Sequence, residues 1–213
     1  MITARTHSST LNLLLLMKQN EVYPECNVDT NLVGYVIGGY AKHKSCCNEV
    51  VKAVNGADGF AIGIIDDDKR RATMDAGFKE YELTDEVDGE NRHVRLFIHE
   101  DGKRYMFTVK PAMDKFIFDA TKSLGVDLAD NGFATTLDGF KKDAKRIQAA
   151  TDPKLRKLFS KIIEYPELQR LRNTLKYLML EQYDAKKETV GSFFDGTLGA
   201  EDLQGLFENK VAF

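Results

Sequence analysis

Apolar and polar positions alternate along this chain in two distinct rhythms. "HVRLFIHEDGKRYMFTVK", residues 93–110, changes face every second residue on both sides of Asp101-Gly102, and so predicts two strands joined by a tight hairpin. "FAIGII", residues 60–65, is apolar throughout and predicts a buried strand covered on both faces. "EVYPE", 21–25, is a short extended piece in which Pro24 disfavours helix. Helical spacing governs "SSTLNLLLLMKQ" (8–19), "TNLVGYVIGGYA" (30–41, capped by Asn27 or Asp29) and "CCNEVVKAV" (46–54, ended by Asn55-Gly56). "KRRATMDAGF", 69–78, is also compatible with a helix. From "PAMDKFIFDATKSL" (111–124) onward the pattern is helical, with helices expected over 137–149, 153–163, 166–185 and 200–208. Strands and helices thus alternate to about residue 122 and helices dominate beyond. The expectation is an α/β core over 1–122 and a helical extension over 123–213.

Composition narrows the class. The 213 residues are 43% hydrophobic and 30% charged, which suits a globular chain. No apolar run reaches the roughly 20 residues of a bilayer span. "LNLLLLM" lacks a basic flank and a cleavage site, so a signal peptide, a membrane partner and an exported location are not expected; the reading is cytoplasmic. Three cysteines, two of them adjacent, and four scattered histidines give neither a disulfide framework nor a zinc pattern. The net charge of −3 is unevenly spread, because residues 137–185 hold eleven Lys or Arg against seven Asp or Glu. A local basic surface for nucleic acid is therefore compatible with the chain.

The chemistry gathers at Asp66-Asp67-Asp68, directly after the buried strand. Open α/β sheets place their sites outside the carboxyl ends of strands. Residues i and i+2 share a side in extended chain, so Asp66 and Asp68 can converge while Asp67 points away. Two adjacent carboxylates repel unless a proton or cation lies between them, and hard oxygens suit Mg²⁺ or Mn²⁺. Locally, the triple acid fits a solvated turn capping the next helix just as well. Glu25 gives a second acidic locus. If 21–25 and 60–65 are parallel neighbours, it emerges on the same edge as Asp66 and Asp68, and the helices between them are long enough for the crossover.

Glu25 with Asp29 four residues on, followed by Asp66-x-Asp68, resembles the Toprim domain, and in particular the OLD-type Toprim nucleases. Asp114, ahead of Phe116 and Ile117, resembles the acidic residue that opens a later helix in the nuclease-like branches. The likeness spans roughly residues 20–122 and departs from the family at Cys26, where a glycine is usual. It implies a Toprim-like Rossmannoid α/β sheet flanked by helices, with the α-helical C-terminal extension outside it. It also implies a metal-dependent nuclease in which Glu25, Asp66 and Asp68 are catalytic. Those three, with Asp29 or Asp114, would hold Mg²⁺ or Mn²⁺. Nucleic acid would be gripped by Lys69, Arg70 and Arg71 beside the acids, and by Lys141, Lys142, Lys145 and Arg146 on the extension, although each stretch equally fits a solvated helix face. Small proteins of this kind often act in phage or plasmid defence beside a separate ATPase; no Walker-type glycine loop occurs here, so that activity would be a partner's. A homo-oligomer is compatible with the chain. Cys26 keeps open the alternative of a non-catalytic Toprim-like interaction module. A receiver domain, suggested by "IIDDDK" and "TVKPAMD", is excluded by the order of its acids and by the intervening hairpin.

Overall fold

The computed structural model describes residues 21–67, 73–83 and 92–211. Its chain order is β1 (Val22–Pro24), α1 (Asn27–Ile37), α2 (Cys47–Asn55), β2 (Ala61–Asp66), β3 (Phe78–Glu80), β4 (Val94–His99), β5 (Arg104–Val109) and α3 (Met113–Ser123). There follow α4 (Leu137–Lys145), α5 (Pro153–Ile162), α6 (Pro166–Glu181), α7 (Lys187–Asp195) and α8 (Ala200–Val211). The strands form one open mixed sheet in the order β1-β2-β5-β4-β3. β1, β2 and β5 run parallel, while β4 is antiparallel to both β5 and β3. The fold is therefore α/β, with helices against the sheet.

Strand periodicity distributes the core. Ile62 and Ile64 of β2, with Tyr105, Phe107 and Val109 of β5, face a large apolar cluster that continues through α1 and Phe140, Phe159, Leu175, Phe193 and Phe207 of the later helices. Ala61, Ile65 and Met106 face the other side, where Val50, Val51 and Val54 of α2 cover them. The main core crosses residue 122 without a break. α1 is buried along most of its length between the sheet and the later helices. Its left-handed end at Gly38 (φ 67°) requires no Cβ to be accommodated there.

The hairpin turns as expected at Asp101-Gly102, with Gly102 at φ 69°. Other expectations need correction. The described part of 69–78 is not helical: Asp75 turns the chain by accepting the Gly77 N–H at 2.9 Å, and Phe78 then opens β3 by pairing with His99. Edge pairing here overrides local helix propensity. The helix expected over 137–149 ends at Lys145, and the one expected to 185 ends at Glu181, where Gln182 takes a positive φ of 51°. α7 had no counterpart in the sequence reading. The helix expected over 8–19 and residues 68–72 lie outside the described residues.

Candidate metal centre

The parallel pairing of β1 with β2 sets Pro24 opposite Ile64, so both strands deliver their next residues to one sheet edge. Glu25 Oε2 accepts the Asp66 backbone N–H at 3.1 Å, joining the two acidic loci directly. Asp66 shares the parity of Ile62 and Ile64 and lines a cleft on the α1 side. Asp67 lies on the opposite parity, 3.6 Å from the Arg95 guanidinium. Asp67 thus points away from Asp66 as expected, and Glu25 meets Asp66 at the shared edge; the expected convergence of Asp66 with Asp68 lies outside the described residues.

Two helix N-termini bring further acids. Asp29, in the first turn of α1, is fully buried; its Oδ2 accepts the Cys26 N–H at 3.2 Å and its Oδ1 the Cys26 thiol at 3.1 Å. Asp114, in the first turn of α3, lines the same cleft. The preceding Met113 N–H donates to Asp66 Oδ1 at 2.9 Å, tying α3 to the end of β2. The opposite wall is α4 and the chain after it, with Ala144, Lys145, Ile147 and Gln148. Asn31 holds that wall down. Its Nδ2 donates to Ala149 O at 2.7 Å, and its Oδ1 accepts the Asp152 N–H at 2.5 Å. The resulting cleft holds about 220 Å³.

Burial raises the Asp29 carboxyl to about 7, helped by the negative charges of Glu25 and Asp114 and opposed by the Cys26 hydrogen bonds. Asp66 rises to about 8 through burial and then the Asp29 charge, with the Met113 N–H pulling the other way. Burial also pushes the Cys26 thiol far up, so it serves as a donor. This is a group of carboxylates that cannot all ionise without a counter-charge.

Of the expected basic residues, Lys145 lines the cleft and Lys141 Nζ lies 4.0 Å from Asp114 Oδ1. Lys142 is exposed, and Arg146 is exposed and 3.6 Å from Asp143; neither lines the cleft. Asp68, Lys69, Arg70 and Arg71 lie outside the described residues. Sequence reasoning missed two contributors. The Cys26 thiol was visible only as a missing glycine, and the Met113 N–H carries no side-chain signal.

The donor chemistry fits a hard divalent cation, and Asp114 Oδ1 is buried without a hydrogen-bond partner. Against that, no three or more His, Cys, Asp or Glu among the described residues are arranged to hold a metal ion. No helix among them is long and apolar enough to cross a membrane. Comparisons with protein-family models, curated proteins and solved structures return no match for this chain.

Proposed function

We propose that the chain is a divalent-metal-dependent nuclease of Toprim type, hydrolysing phosphodiester bonds in DNA or RNA. The observation that carries this reading is the side-by-side placement of β1 and β2, with Glu25 bonded to the Asp66 backbone. Glu25, Asp66 and Asp68 would hold Mg²⁺ or Mn²⁺, with Asp29 or Asp114 completing the set. When bound, such ions supply water activation and charge stabilisation of the leaving oxygen.

The rest falls to the chain itself. The Met113 N–H fixes one Asp66 oxygen, so the carboxylate is oriented before substrate arrives. Lys145 and Lys141 supply positive charge at the wall of the acid cleft, suited to a backbone phosphate entering it. Ala144 and Ile147 make that wall partly apolar, which limits water beside the acids.

A second reading, the non-catalytic interaction module, draws on one specific observation. Both Asp29 oxygens are already engaged by Cys26, which occupies lone pairs a metal would need.

Two measurements separate the readings. Plasmid and single-stranded nucleic acid are incubated with Mn²⁺ or Mg²⁺ and wild type, Asp66→Asn or Asp68→Ala. The nuclease reading expects cleavage by wild type and a loss of about 10²-fold or more in each variant; metal-dependent cleavage that survives both would sink it. Millimolar Mn²⁺ should also raise the melting temperature of wild type but not of Asp66→Asn. No shift in wild type, together with no cleavage, favours the module.

A further inference from the structure

A second polar hollow, of about 300 Å³, lies between the first turns of α6 and the turn that leads from α7 into α8. It does not include any of the acids of the metal centre. Arg170, Arg172 and Asn173 of α6 line one side, and Asp195, Gly196, Gly199 and Ala200 the other.

Two features of this hollow bear on a ligand. Arg170 and Arg172 are half-buried, and neither forms an ion pair among the described residues. Asn173 is 8% exposed, and its amide makes no hydrogen bond among the described residues and opens to the hollow instead.

Two acids stand here, and each holds a backbone N–H of the turn with one oxygen. Asp195 accepts the Thr197 N–H at 2.8 Å, and Asp202 accepts the Gly199 N–H at 2.7 Å. Asp202 thus caps the start of α8, so recognition rests on the α6 side chains and not on the helix end. Glycine at 196 keeps the opposite wall low, because a Cβ there would stand 3.1 Å from Arg170 Cδ.

We propose that this hollow binds a phosphomonoester group, carried by a nucleotide or by the end of a nucleic acid. Two guanidinium groups match the oxygens of a phosphate dianion, and the Asn173 amide can donate to a third oxygen. A carboxylate ligand offers fewer oxygens to the same three donors. The inference stands apart from the metal centre and holds whether or not the chain is a nuclease.

The test is calorimetric titration of the full chain at low salt in EDTA, which removes any metal-borne phosphate binding. The probes are inorganic phosphate, a nucleoside 5′-monophosphate, and one oligonucleotide with and without a 5′-phosphate. Binding of phosphate and the monophosphate, weakened about tenfold or more by Arg172→Gln and by Asn173→Asp, is the expected result. Lys161→Ala, exposed on α5 and lining neither hollow, should leave it intact. Preference for the 5′-phosphorylated oligonucleotide over its hydroxyl twin identifies a nucleic-acid end as the source; monophosphate binding with no such preference identifies a free nucleotide. Should Asn173→Asp lower the melting temperature, Arg172→Gln at its half-buried site decides. No binding of any probe at millimolar concentration, or binding that survives Arg172→Gln or vanishes in Lys161→Ala, overturns the proposal.

Discussion

Asp66 carries two conflicting demands. It is largely buried, as a group held by the end of β2 and the start of α3 must be, and it sits near three other carboxylates. Its folded pKa is raised, so the folded chain retains a proton that the unfolded chain releases near pH 4. The unfolded state then binds fewer protons, and stability falls as pH climbs from about 4 to about 8. Asp66→Asn keeps the acceptor for the Met113 N–H but cannot ionise. In metal-free protein at pH 8 it should gain on the order of 1 kcal/mol, read as a melting shift of a few degrees, and its pH profile should flatten. An unchanged profile would mean that Asp66 is not repelled by its neighbours. The direction of this effect was legible in the sequence, because adjacent acids at a strand end must repel. Its size was not, since the burial comes from α1, α3 and α4, which the local sequence does not specify.

Among elements, the junction of β4 with α6 depends on Glu167. One carboxylate oxygen accepts the backbone N–H groups of His93 and Val94 at 2.8 and 2.7 Å, and the other meets His93 Nδ1 at 3.0 Å. Asp119 of α3, itself paired with Lys115, holds His93 Nε2 at 2.8 Å. Burial alone would lower the His93 pKa, but hydrogen bonds and charge from Glu167 and Asp119 raise it on balance. The sign follows directly. This stability is fully present below about pH 6.5, the ordinary histidine value, and is lost as pH rises through the higher folded value. Glu167→Gln should cost about 1–3 kcal/mol in denaturant unfolding at pH 6, and the cost should shrink by pH 9. A cost independent of pH would show that His93 is neutral throughout. β3 and α7 escaped the sequence reading for related reasons. β3 is three residues long and forms only by pairing with β4. α7 contains Gly191, a poor helix former, at a point where a Cβ would lie 2.4 Å from the Tyr81 ring. In each case a distant partner supplies what the local residues do not.

For the whole molecule, the continuity of the main core bears on how the chain unfolds. Phe159 of α5 is fully buried in the cluster that also holds Ile62 and Phe107, and its ring stands 5.7 Å from that of Tyr35 on α1. The helical region therefore shares its packing with the sheet. Phe159→Ala should cost about 3–5 kcal/mol and should lower one common transition followed by near-UV and far-UV dichroism. Two separated transitions would instead mark 1–122 and 123–213 as independent units.

The sequence by itself determined the hairpin, the buried strand β2, the facing of Asp66 away from Asp67, and most helix positions. All of these follow from periodicity and turn chemistry among residues near in the chain. It also singled out Glu25, Asp66 and Asp68 as acids that one sheet edge could gather, and a family resemblance added Asp29 and Asp114. Only the tertiary structure decided the strand order β1-β2-β5-β4-β3, the engagement of Asp29 by Cys26 and the locking of α4 by Asn31. It alone left two arginines of α6 beside an unpaired amide. The physical reason is that charge state and hydrogen-bond satisfaction depend on burial, and burial is set by residues far away in sequence. Asn31 and Asp152 are 121 residues apart, yet they meet at 2.5 Å.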